Sequence, residues 1–299
     1  MRTYPFVTVD VFTGRRFGGN PLAVFPDARG LSEAEMQALA AEFNLSETTF
    51  VLPPEDPAHT ARVRIFNRRA EMPFAGHPNV GTGWVLAQQG RDRDGVLLFE
   101  EIAGLVEVRV ERDPAGAAPA GATIAAPQPL SLGPEMPAEA LAACVGLDRD
   151  AVIVAAHRPV LASVGNSFVV AEVAPEALSR AVPDLAQFRR AAADFPAPGP
   201  GRLPLYLYAR DGDGAQLRAR MFSPLSGTFE DPATGSAATP LAALLLSLSG
   251  HAEARFDILQ GVEMGRPSLL HATARRVSDG IRATVGGGCV PVLRGEAML

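Results

Sequence analysis

The sequence predicts an α+β protein built twice over: two similar domains, each a curved, barrel-like sheet wrapped around one central helix. Three observations lead there. Short strand-like runs alternate with only a few helices. Segments of the first half recur in the second half in the same order. Two helical stretches, VGTGWVLAQQ (80–89) and SAATPLAALLLSLS (236–249), are apolar around most of their circumference, as expected of a helix buried on every side. A sheet curved around each such helix is the simplest way to bury both, and the cleft between the halves is the natural ligand site.

The elements follow in order. VTVDVF, in the region of 8–12, and LAVF (22–25) read as strands on either side of the Gly18-Gly19-Asn20 turn. Ser32 to Phe43 reads as a helix, with Ser32 at its cap and Glu35 three residues on, a capping box. TTFVL (48–52) and ARVRIF (61–66) read as strands. Pro78 to Gln89 reads as a helix with proline in its first turn and Gly90 past its end. GVLLFEE and GLVEVRV (95–110) form a hairpin, and the Ala, Gly and Pro-rich run 113–126 is the best linker candidate. FPAPGPGRLP (195–204) reads as a surface loop. Pro240 is expected to kink the second apolar helix or to mark a later start.

The repeat rests on three matches. GNPLAV (19–24) is answered by GNSFVV (165–170), and RIF (64–66) by RMF (220–222). Phe74 before AGHPNVGT is answered by Phe229 before EDPATGSA, at an offset of 155 residues against 156 for Arg64 and Arg220. Each match alone is short; three in one order point to a duplication.

Composition narrows the function. The 299 residues are 47% hydrophobic, ample for one large or two medium cores. A net charge of −6 argues against a nucleic-acid partner. No apolar run reaches the roughly 18 residues of a membrane span. The start, MRTYPFVTVDVFTG, reads as a strand and not as a signal peptide, which makes the cytoplasm the expected location. Cys144 and Cys289 lie too far apart in sequence to suggest a disulfide framework or a zinc site. The five histidines form no i, i+4 metal pair, so no metal is expected.

Three short motifs can carry chemistry. In FEDPATGSA, Gly235 and Ser236 fall where the second buried helix begins, and the free N–H groups of a first turn favour an anion. Ser236 reads equally well as a plain helix cap. The first half offers Gly76, His77 and Gly81 at its own helix start, so two helix N-termini could hold a small carboxylate. In NLSETTF, Glu47 stands between a helix and an apolar strand, where it is either a proton-transfer group in a desolvating setting or a solvated turn residue. Asp231 and His77 each precede a proline, and each is a cap, a turn residue or an acid–base group. GTG (81–83) lacks a dinucleotide frame, GVEMGRPS lacks the Lys-Ser/Thr of a phosphate loop, and Ser236 lacks the G-x-S-x-G elbow.

VDVFTGRRFGGNPLAVF, NLSETTFV, RIFNRRAEMPFAGHPNVGT, FEDPATGSA and QGVEMGRPS occur in this order. Together they closely resemble the phenazine-biosynthesis isomerase (PhzF-like) family, within the diaminopimelate-epimerase-like fold, from about Thr8 to Ser268. The resemblance implies two domains, set at 1–121 with a C-terminal strand at about 284–299, and at 122–283, with the active site between them. It implies a homodimer without a cofactor. By resemblance Glu47 is the acid–base glutamate, His77, Asp231 and Ser236 complete the catalytic set, and Gly76 and Gly235 bind a substrate carboxylate through their backbones. Some relatives in the wider fold use two opposed cysteines, but Cys144 and Cys289 stand outside both helix-start motifs, which argues against a two-thiol racemase. The implied activity is a cofactor-free proton shift of the trans-2,3-dihydro-3-hydroxyanthranilate isomerase type. Isomerisation of another small amino or cyclic acid, and non-catalytic binding of a small carboxylate, are the competing readings.

Overall fold

In a computed structural model that describes residues 1–116, 118–195, 201–211 and 216–299, the chain divides into two units. One comprises Met1–Ala125 and Gly286–Leu299, the other Ala126–Val285. The first runs β1 (Thr3–Val11), β2 (Asn20–Phe25), α1 (Glu33–Phe43), β3 (Glu47–Leu52), β4 (Ala61–Phe66), β5 (Glu71–Met72), α2 (Gly76–Gln88), β6 (Val96–Glu101), β7 (Gly104–Arg112) and β8 (Pro119–Ala125). The second runs β9 (Ser131–Glu135), α3 (Ala138–Cys144), β10 (Val152–Ile153), β11 (Val160–Ser163), β12 (Ser167–Val173), α4 (Pro175–Leu178), α5 (Leu185–Asp194), β13 (Leu205–Asp211), β14 (Gln216–Ser223), β15 (Thr228–Asp231), α6 (Gly235–Ser247), β16 (Glu253–Gln260) and β17 (Ser268–Val277). The last strand, β18 (Gly280–Met298), supplies residues to both units.

In the first unit eight strands close on themselves in the order β18, β1, β2, β3, β4, β6, β7, β8 and back to β18. The axis is α2, in which nearly every residue from Gly76 to Ala87 is buried. Its glycines are what let it fit. A Cβ on Gly83 would lie 2.5 Å from Val108 Cγ1, and one on Gly81 2.7 Å from Leu22 Cδ2. The GTG run is therefore a packing device, not a nucleotide loop.

The second unit repeats the plan. Pairing of β1 with β2 is antiparallel, β2 with β3 parallel, β3 with β4 antiparallel, β4 with β6 parallel and β6 with β7 antiparallel. The same alternation runs through β11, β12, β13, β14, β16 and β17. Around α6 it buries Ala237 to Leu246 without a break. The fold is α+β and diaminopimelate-epimerase-like, a curved sheet around one apolar helix, made twice.

Several local expectations hold and others need correction. Ser32 and Glu35 form the capping box: Glu35 N–H donates to Ser32 Oγ at 3.3 Å and Ser32 N–H to Glu35 Oε2 at 2.8 Å. The supposed linker 113–126 is half strand, since β8 pairs antiparallel with β7 and buries Ala122 and Ile124. Gly121 marks crowding, not slackness: a Cβ there would sit 2.2 Å from Gly287 O. Of the expected loop 195–204, residues 196–200 lie outside the described residues. Pro240 neither delays nor ends α6, which starts at Gly235 and runs through it. Among the described residues no helix is long and apolar enough to cross a membrane.

Candidate active site

Each central helix is entered by the same device. In the first unit Arg64 on β4 donates Nε–H to Glu71 Oε1 at 2.6 Å and Nη2–H to Glu71 Oε2 at 2.5 Å. In the second, Arg220 on β14 donates Nε–H to Glu230 Oε1 at 2.8 Å and Nη2–H to Glu230 Oε2 at 2.9 Å. Both are two-pronged charge-assisted pairs, the geometry that fixes a guanidinium most firmly. Each guanidinium also covers the phenyl ring two residues on, Phe66 at 5.1 Å and Phe222 at 4.8 Å. The R-x-F matches of the two halves are thus clamps on the segments β5 and β15 that lead into the helices.

The clamps correct the register of the repeat. Glu71 and Glu230 stand 159 residues apart, as do Gly76 and Gly235, and His77 and Ser236. Phe74 is therefore not the partner of Phe229, which is exposed. Asp231 answers to Met72 at this offset, so the acid has no counterpart in the first half.

Neither His77 nor Ser236 is a helix cap. Each is the second helical residue, after Gly76 and Gly235. The capping positions belong to Ala75 and Thr234, neither side chain caps its helix, and neither first turn carries an acid. By contrast α1 is capped by Ser32 and α5 by Asp184. A buried helix start without a side-chain cap keeps first-turn N–H groups and the positive end of the dipole for another acceptor.

Around the first start, the structure brings Glu47 to His77. Glu47 opens β3, beside β2, and its Oε2 lies 3.4 Å from His77 Nε2. The imidazole is buried, and burial lowers its pKa to about 3. It is therefore uncharged at neutral pH, and the contact is between a carboxyl group and a neutral ring, not an ion pair. Among the described residues no well-aligned hydrogen bond reaches that nitrogen. Two residues along, Asn79 donates Nδ2–H to Ala75 O at 3.0 Å and braces the turn. Glu101, at the end of β6, buries both carboxylate oxygens; burial pushes it up to about 8, against the pull of Asn79. Sequence reading missed Asn79 and Glu101, because nothing local distinguishes them from surface residues. A cavity of about 750 Å³ lined by Phe6, Trp84, Gln88 and Arg294 opens at the other end of α2, and none of the expected site residues lines it.

Around the second start, Asp231 ends β15 and is buried. Thr234 donates its hydroxyl proton to Asp231 Oδ2 at 2.5 Å. Behind them Gln260, the first residue of the QGVEMGRPS motif, is buried and bonded to both. The two cysteines stand on other elements, Cys144 at the end of α3 and Cys289 in β18. Both are buried thiols without a disulfide, Cys144 pushed up to about 12 and Cys289 also raised by burial. Such thiols are poor bases and nucleophiles.

Comparison with known proteins gives the family and the fold. Residues 9–295 match the family described as phenazine biosynthesis-like protein. An isomerase of Mesorhizobium japonicum is 38% identical, covering all of both chains. The trans-2,3-dihydro-3-hydroxyanthranilate isomerase of Pseudomonas aeruginosa is also 38% identical, over 98% of this chain and 99% of its own. Among solved structures, a PhzF-family phenazine biosynthesis protein of Bacillus anthracis superposes over the whole of both chains with a TM-score of 0.88 at 24% identity. A hydroxyproline epimerase of Agrobacterium vitis shares the fold with a TM-score of 0.65 at 15% identity, over all of this chain and 93% of its own.

Proposed function

We propose, for a chain that belongs to the phenazine biosynthesis-like family and is an isomerase, that it moves a proton within a small cyclic amino acid of the trans-2,3-dihydro-3-hydroxyanthranilate type, with Glu47 as the base. The observation that carries the reading is Glu47 Oε2 at 3.4 Å from the buried His77 at an uncapped helix start. Glu47 as carboxylate takes a proton from one ring carbon. The electron pair moves along the conjugated diene, and the same carboxyl group returns the proton to another carbon on the same face. No cofactor enters, because the diene itself accepts the charge.

The uncharged state of His77 suits that role. An imidazolium beside Glu47 would stabilise the carboxylate and make it a weaker base. A neutral ring leaves Glu47 basic and can still hydrogen-bond to the substrate or relay a proton. Gly76 and Gly235 present backbone N–H groups to the substrate carboxylate, and Asp231 and Ser236 take its polar substituents. The same reading makes the protein a cytoplasmic homodimer without a nucleic-acid partner; a monomeric mass in sedimentation would remove the dimer.

Proton NMR in D₂O with trans-2,3-dihydro-3-hydroxyanthranilate, wild type beside Glu47→Gln, tests the proposal. Deuterium is expected in the ring of the product with the wild type only. Folded wild type that incorporates none overturns the substrate, and a variant of ordinary activity overturns Glu47.

A further inference from the structure

Behind Asp231 lies a chain of buried polar groups whose direction can be worked out group by group. Gln260 closes β16 and is 1% exposed; Tyr206 on β13 is fully buried. The Gln260 amide makes four contacts. Its Oε1 accepts from Thr234 N–H at 3.2 Å and from the Tyr206 hydroxyl at 3.1 Å. Its Nε2 donates to Asp231 O at 2.8 Å and to Thr234 Oγ at 3.0 Å.

Two of those partners admit only one orientation. The backbone N–H of Thr234 can only donate, so the amide oxygen must face it. The backbone carbonyl of Asp231 can only accept, so the amide nitrogen must face that. With the amide set, one N–H of Gln260 occupies a lone pair of the Thr234 hydroxyl. The hydroxyl has a single proton, and that proton goes to Asp231 Oδ2, 2.5 Å away. Gly261 makes the approach possible. Its φ is +75°, and a Cβ there would sit 2.5 Å from Pro232 O, so only glycine lets the end of β16 come this close to the Asp231 segment.

We propose that Gln260 is a positioning residue for Asp231, acting through Thr234: it fixes the direction of the Thr234 hydroxyl and so keeps Asp231 Oδ2 as a hydrogen-bond acceptor in one rotamer. The inference rests on Asp231 as a substrate-facing group. Tyr206 only fills the remaining lone pair of Gln260 Oε1, so the two backbone groups hold the amide without it.

The test is a double-mutant cycle. Thr234→Val and Gln260→Met are each expected to lower kcat about tenfold to a hundredfold, with KM changed less, as for loss of a hydrogen bond to a charged group. The double variant falls no further than either alone, because both remove one interaction. Thr234→Ser, which keeps the hydroxyl, stays within about threefold of the wild type, and so does Tyr206→Phe. If Gln260→Met does not fold, Gln260→Glu takes its place; it keeps the two acceptor contacts and lacks the full pair of donors. Additive losses, or a folded Gln260 variant with ordinary kcat, overturn the proposal. Should the wild type not turn over the substrate, the Asp231 carboxyl ¹³C resonance gives the readout. It is expected to move alike in Thr234→Val, in the Gln260 variant and in the double. An unmoved resonance overturns the proposal whatever the substrate.

Discussion

The two central helices begin in the same frame and end up with opposite chemistry. Each follows a strand clamped by an arginine to a glutamate, Arg64 with Glu71 and Arg220 with Glu230. Each begins with glycine and lacks a side-chain cap. After that they diverge. The first start holds a buried imidazole whose Nε2 lies 3.4 Å from the half-buried carboxyl group of Glu47. The second holds an acid tied into a network of Thr234, Gln260 and Tyr206. A duplicated scaffold thus keeps what positions a helix start and varies what stands on it.

The largest expected effect falls on the side of Glu47 and His77. Glu47→Gln should lower proton transfer by at least about 10²-fold, the lower end for a general acid–base group, while Ser236→Ala in the other half should cost only about tenfold, as for one neutral hydrogen bond. Equal losses in a D₂O exchange assay would erase the division of labour.

Next come the clamps. Arg220 is the more buried of the two arginines and also donates to the carbonyls of Leu178 and Ala181 at 3.0 and 2.8 Å. Arg220→Met should therefore cost about 3–5 kcal/mol in urea unfolding, the range for breaking a buried pair. Arg64→Met should cost less, since that side chain is more exposed and Glu71 is nearer solvent. The reverse order would mean that the first clamp is the stronger.

A pH effect separates the halves in a different way. Burial lowers the pKa of His77 from its ordinary 6.5 to about 3. Between those values the unfolded chain binds the extra proton. Stability from this group is complete above about pH 6.5 and is lost as pH falls toward 3, by up to about 1.4 kcal/mol per pH unit. His77→Gln should flatten that part of the unfolding curve between pH 6.5 and 4.5, whereas Ser236→Ala should leave it unchanged. The smallest effect is a control outside both starts. Ser32→Ala removes the cap of α1 and should cost about 1 kcal/mol with activity unchanged.

Much of this was legible in the residues alone. The stretches 80–89 and 236–249 are apolar around most of their circumference, a pattern that suits a buried helix because little solvent face is left. Ser32 with Glu35 is a local device whose partners are three residues apart, and local devices are readable locally. Glu47, His77, Asp231 and Ser236 stood out through their motifs. What the tertiary structure alone decided involves distance along the chain. The strand at 119–125 is stabilised by its neighbours β7 and β18, not by its alanines and glycines, so its composition misled. The repeat register was settled by Glu71 and Glu230, which mean nothing until Arg64 and Arg220 reach them. Gln260 meets Asp231 from 29 residues away. The pKa of His77 is lowered because a barrel closes around it, and burial of that kind is a property of the closed sheet.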